Sequence, residues 1–241
     1  MSDTGIELYV TNNIARWDAL GFPADHLPNG DEVFSRHTNS GAQIVARRPL
    51  SPDQITDLLA EPVLGHRNVV EDPFGVGGVR VPDDVVAQHY PVMMRPAGPV
   101  EEVRRKGVEV VQVADQSQLD QAERVIVEGF PRPELRPWAS GGLIPPAVLN
   151  VPGWHTWLAL ADGEPGAAVV TYDDGRAAGV YWLATLPEHR GAGLASVLMT
   201  SVLAAHAHLP SLLVATKMGL PLYERLGYHV VSEGCWYTRR R

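Results

Sequence analysis

Cys235 is the only cysteine in a chain of 241 residues. An internal disulfide framework is therefore excluded, and the composition fits a reducing cytoplasm. Long apolar runs are lacking too. None approaches the roughly 18 residues that a membrane span needs, so no span is expected. Met1-Ser2-Asp3-Thr4-Gly5 has no basic start ahead of a hydrophobic stretch, so no secretory signal is read there. Basic charge is in deficit: 20 Lys and Arg stand against 28 Asp and Glu, a formal charge of −8. That deficit argues against a broad nucleic-acid surface. It suits cationic, amine-bearing substrates instead. Arg239-Arg240-Arg241 reads as a solvated tail rather than a basic patch. His206 and His208 are two apart, which on a helix points them in different directions, so no metal site is expected. Internal repeats and low-complexity segments are lacking as well.

What is present is an apolar content of 45%, enough for a real core. Arg95-Pro96-Ala97-Gly98-Pro99, followed by the charged run Glu101 to Lys106, marks a boundary, because such residues resist both helix and central strand. Two domains are expected, 1–99 and 107–241. In the first, Glu7 to Leu20 has helical spacing at Val10, Ile14, Trp17 and Leu20. Ser51-Pro52-Asp53-Gln54 looks like a helix start. Gln43 to Ala46 and Asn68 to Val70 read as strands, and Glu71 to Gly78 as a loop. The second domain has a clearer order. Val108 to Val113 reads as a strand. Ser117-Gln118-Leu119-Asp120 resembles a capping box, with Leu119, Ala122, Ile126 and Phe130 on one helix face. A proline-rich loop, Pro131 to Pro146, precedes three strands: Thr156 to Leu160, Ala167 to Tyr172 and Ala178 to Leu186. Asp162-Gly163 and Asp173-Asp174-Gly175 separate them as hairpin turns. Ser211 to Ala215 is a further strand, Leu220 to Leu226 a short helix, and Val230 to Thr238 a last strand.

Between the third of these strands and the apolar segment Leu194 to Ala207 lies Arg190-Gly191-Ala192-Gly193-Leu194-Ala195. A glycine-rich turn opening a helix exposes unbonded N–H groups at the positive end of the helix dipole. A phosphate can approach it closely. A Walker loop is excluded, since no lysine lies near residue 190. A dinucleotide fingerprint is weakened, because Ser196 takes the place of its third glycine and no acid lies near Leu212 to Ala215.

Arg190-x-x-Gly193-x-Ala195 resembles the Arg/Gln-x-x-Gly-x-Gly/Ala signature of the GNAT acetyltransferase superfamily. Leu222-Tyr223-Glu224-Arg225-Leu226-Gly227-Tyr228 is similar to that family's later segment. The resemblance implies an α/β fold with a mixed sheet over 107–241, beside an N-terminal accessory domain. It implies acetyl-CoA as acyl donor, without a metal, and a primary amine of a small molecule or peptide as acceptor. Arg190, Gly191, Ala192, Gly193, Leu194 and Ala195 would hold the pyrophosphate. Leu183, Ala184 and Thr185 would offer backbone groups to the pantetheine arm. Tyr223 would act as general acid toward the departing thiolate. Thr216 stands where many relatives have an asparagine that touches the cofactor.

No general base is marked. Glu128, His155, Asp173 and Tyr181 are candidates by region only. The resemblance puts the acceptor pocket at the Pro131 to Pro146 loop, with Trp138, Trp154 and Trp236 as candidate lining. Cys235 reads as a packed residue. The N-terminal half has three open roles: a cover for the pocket, a homodimer face, or a decayed copy of the same fold. A thioester lyase, a decarboxylase and a non-catalytic acyl-CoA sensor stay open as other activities.

Overall fold

The computed structural model describes residues 4–21, 33–38, 41–60, 68–75, 81–130 and 135–240. Among the described residues, ten strands and five α-helices make a mixed α/β fold with a mixed sheet. The chain divides into two compact units, 1–94 with 212–241, and 95–211.

The first unit starts with helix α1 (Gly5–Ala19). Thr4 caps it in a complete capping box with Glu7. Strands β1 (Val33–Thr38), β2 (Gly41–Ala46) and β3 (Asn68–Asp72) follow, with α2 (Pro52–Ala60) between the last two. β1 and β2 form an antiparallel pair, and β2 runs parallel to β3. Ser51 and Gln54 exchange the bonds expected of a helix start ahead of α2. Strand β4 (Val85–Arg95) was not marked by sequence pattern. Strand β10 (His229–Arg239) lies between β3 and β4, antiparallel to both. β9 (Ser211–Val214) neighbours β4 on its other side. Ile44, Ile55, Leu58, Val70 and Tyr237 share one core cluster with Cys235, whose thiol is raised above its ordinary pKa by burial. Cys235 is thus a packed residue of β10. Glu71 and Asp72, expected in a loop, end β3 as buried carboxylates. Glu71 accepts from Tyr9, Asn13 and Gln43, which explains how a strand interior tolerates it. Val76, Gly77 and Gly78 of that expected loop lie outside the described residues.

The second unit runs β5 (Val108–Gln112), β6 (Trp154–Ala161), β7 (Glu164–Asp173) and β8 (Ala178–Thr185), each antiparallel to the next. Asp162 and Gly163 both have positive φ, 50° and 89°, as a two-residue hairpin turn between β6 and β7 demands. Helix α3 (Gln116–Gly129) packs on β7 and β8, and α4 (Leu194–Ala205) on β6 and β7. The α3 cap differs from the expected one. Asp115 accepts from Gln118 N at 2.9 Å, and Gln118 Oε1 accepts from Ala114 N at 2.8 Å. A carboxylate at the positive helix end outcompetes the Ser117 hydroxyl two residues on.

Candidate functional site

Backbone geometry builds the candidate site in the second unit. Residues 165 and 167 of β7 face 160 and 159 of β6, so Gly166 is an extra residue, a bulge. Its carbonyl accepts from Leu186 N at 3.0 Å, just past β8. A side chain at Gly166 would lie 2.4 Å from Leu194 Cδ2 and 3.1 Å from the His189 ring. The missing Cβ thus lets the turn after β8 settle on the sheet. A short 3₁₀ turn, Pro187–His189, then leads into the glycine segment.

Gly191 and Gly193 have φ of 76° and 80°, left-handed values that glycine adopts without strain. Gly193 caps α4 without any side-chain bond. Ser196 N and Val197 N both donate to the Gly193 carbonyl. Among the described residues, the consecutive N–H groups of Gly191 through Ala195 have no protein acceptor. Gly191 and Ala192 are exposed, while Leu194 is buried and anchors the helix start. Bare amides converging at a helix N-terminus are chemically fitted to a phosphate group.

Arg190 does something narrower than adding charge. Its guanidinium turns away from the glycines and donates to the carbonyls of Thr185 (3.3 Å) and Gly129 (2.9 Å). It ties the ends of β8 and α3 to the turn. Arg190→Ala should raise the KM for a phosphate-bearing donor several-fold and leave kcat at saturating donor unchanged, because the amides lose their fixed path. Steady-state kinetics over donor concentration checks this.

Leu183, Ala184 and Thr185 lie on β8 beside a second bulge. Ala168 faces Ala184 but Val170 faces Tyr181, so Trp182 and Leu183 together oppose one residue. Trp182 carries a positive φ of 54°, which costs on the order of 1–2 kcal/mol for a bulky residue. Such a bulge breaks the regular ladder and re-aims backbone groups next to many active sites. Sequence pattern held no sign of it, since the apolar run through Val180 to Leu186 is unbroken.

The proline-rich loop, over its described residues 135–146, is anchored by a residue that sequence reasoning missed. Glu123 on α3 is buried at 1% exposure. Its Oε1 accepts from Leu143 N (2.6 Å) and Ile144 N (2.7 Å). Its Oε2 accepts from Trp138 Nε1 (3.0 Å) and Gly141 N (2.9 Å). Asp120 adds a bond from Ser140 Oγ at 2.7 Å. The usable signal was a carboxylate in the Leu119, Ala122, Ile126 stripe. Residues 131–134 of this loop lie outside the described residues.

The four candidate bases part company. Glu128 is half-exposed and pairs with Arg124 at 2.8 Å. Tyr181 is half-buried on β8. His155 and Asp173 gather around His206: the two imidazoles are 5.4 Å apart, and Asp173 lies 3.9 Å from His206 Nδ1. Burial lowers the pKa of both histidines, against the opposing pull of Asp173. His206 caps the far end of the twelve-residue α4, roughly 18 Å along the axis from the glycine turn. Trp154 is buried edge-on against Tyr172. Among the described residues, no group of three or more His, Cys, Asp or Glu is placed to hold a metal. Nor is any described helix long and apolar enough to cross a membrane.

Thr216 and Tyr223 belong to the first unit. Thr216 Oγ1 accepts from Gly219 N at 3.3 Å, which leaves its own proton to donate. Tyr223 lies on α5 (Leu220–Arg225), buried and in edge contact with Tyr228 at 5.8 Å between rings. A side chain at Gly219 would meet the Tyr223 ring at 2.7 Å. Burial pushes the phenol above its ordinary pKa. Trp236 is also in this unit, edge-on to Tyr90.

With the bulged strand, the phosphate-fitted turn and α4 described, the chain can be set beside known proteins. Residues 152–230 match the family model described as an acetyltransferase (GNAT) domain. That match lies in the C-terminal part of the chain, over the stretch that holds the glycine turn and α4. The whole fold is similar to that of a GCN5-related N-acetyltransferase from Kribbella flavida, with a TM-score of 0.63 at 15% identity, covering 98% of this chain and 95% of that one. It is also similar to a putative GNAT-family acetyltransferase from Novosphingobium aromaticivorans, at TM-score 0.57 and 20% identity, covering 93% and 96%. A functionally unknown conserved protein from Staphylococcus epidermidis gives a TM-score of 0.66 at 11% identity over 90% and 94%. None of the curated proteins matches the chain.

Proposed function

We propose that the protein transfers an acetyl group from acetyl-CoA to a primary amine of a small molecule or peptide. The observation that carries this reading is the run of unbonded amides from Gly191 to Ala195 at the start of α4. They would hold the pyrophosphate of the donor. Leu183, Ala184 and Thr185, beside the β8 bulge, would offer backbone groups to the pantetheine amides and polarise the acyl carbonyl. Thr216 would add a hydroxyl contact. The catalytic domain would comprise 107–241 and the accessory domain 1–99, in a cytoplasmic enzyme.

Tyr223 would protonate the departing thiolate. Its raised pKa keeps the proton on the phenol throughout the neutral range and beyond the ordinary value of 10. Tyr223 therefore contributes no alkaline fall in activity below about pH 10. Tyr223→Phe should lower kcat about 100-fold with donor affinity unchanged. Unchanged turnover would remove Tyr223 from the mechanism.

The decisive experiment is thiol release from acetyl-CoA across a panel of amines, amino acids, aminoglycosides and peptides. Release that requires an amine supports acetyl transfer. Release without an amine points to a lyase or hydrolase, and binding without release to a sensor.

A further inference from the structure

The charged run Glu101 to Lys106 is more than a connection. Gly98 N donates to Ala207 O at 2.8 Å, beyond the last turn of α4. Val103 N donates to Thr200 Oγ1, in the middle of α4, at 3.0 Å. Two residues later the Arg105 guanidinium reaches Gly193, where an added Cβ would lie 2.6 Å from Nε and 2.7 Å from Cζ. The segment thus runs antiparallel along α4 and delivers a cation onto the glycine turn.

Arg105 and Lys106 line a cavity of about 490 Å³ together with His189, Ala192, Leu194 and Asp162. Among the described residues, neither cation makes an ion pair. Asp162 is the one carboxylate in this lining, and it packs against Gly107. The cavity is therefore concave and cationic, and it continues outward from the bare amides of the turn. A ligand with one anionic group on those amides and a second anionic group beyond them fits this layout.

We propose that Arg105 and Lys106 bind the phosphate monoester on the ribose of the acyl-CoA donor and so select the donor's nucleotide end. This rests on the acetyl-CoA reading above. A phosphate monoester carries close to two negative charges at neutral pH, and Arg meets it with paired donors.

The test uses the full chain and calorimetric titration with CoA and with dephospho-CoA, which lacks only that phosphate. The wild type should bind CoA about tenfold more tightly. Arg105→Ala with Lys106→Ala should bring the ratio near one, with CoA losing about tenfold more affinity than dephospho-CoA. Arg105→Lys with Lys106→Arg should keep most of the preference, since both charges and one guanidinium fork are retained. A wild type without preference, or an alanine variant that retains it, overturns the proposal while the donor reading stands. Absence of binding to either compound overturns both.

Discussion

Gly193→Asp should abolish measurable CoA binding and leave the protein folded. Gly193 sits at φ of 80°, where a non-glycine residue costs about 1 kcal/mol or more. Aspartate tolerates this conformation better than most residues and favours helix N-termini, so the fold survives. The carboxylate would stand beside Arg105 and over the amides of Leu194 and Ala195. At 4 Å from a phosphate charge it adds about 1–4 kcal/mol of repulsion, besides blocking the approach. Affinity should fall at least 100-fold, read by calorimetry, while the melting temperature moves by only a few degrees. Wild-type affinity in that variant would dismiss the turn as the donor site.

Glu123→Gln should be nearly as damaging as Glu123→Ala. Both carboxylate oxygens are used, each by two N–H donors. Glutamine keeps one acceptor and turns an NH₂ toward two other donors. Unpaired buried donors cost about 1–3 kcal/mol each, so partial opening of the loop should hold the total near 3 kcal/mol. That corresponds to a fall of roughly 6–12 °C in Tm. Limited proteolysis should then cut within 135–146 first. Under the acceptor-loop reading, the KM for the amine should rise more than that for the donor. A variant with unchanged Tm would show that Glu123 does not anchor the loop.

The β6 to β8 meander was legible because its turns carry chemistry of their own. Asp162-Gly163 supplies two positive φ values, and Asp173 and Asp174 accept bonds from Gly175, Arg176 and Ala177. β4 was not legible. Pro91 interrupts its pattern, yet tertiary pairing places that proline opposite Glu233, and its carbonyl accepts from Ala215 N. The turn 190–195 was visible because glycine there answers a backbone need. The bulge at Trp182 was not, because a bulge is set by register between strands, which residue order along one strand does not record. Glu123 was hidden for a related reason: its four partners lie 15 to 21 residues away. The charged run before β5 read as a linker. Its path along α4 depends on the Thr200 hydroxyl, which looks like any helix residue.

The placement of β10 between β3 and β4 has a consequence during synthesis. Residues 95–211, a whole compact unit, are translated between β4 and the strand that joins it to β3. At about 5–20 residues per second, β3 and β4 wait on the order of ten seconds with open edges. The ribosome thus finishes the second unit before the first can close its sheet. Chaperone dependence should therefore fall on the amino-terminal strands, although they are made first.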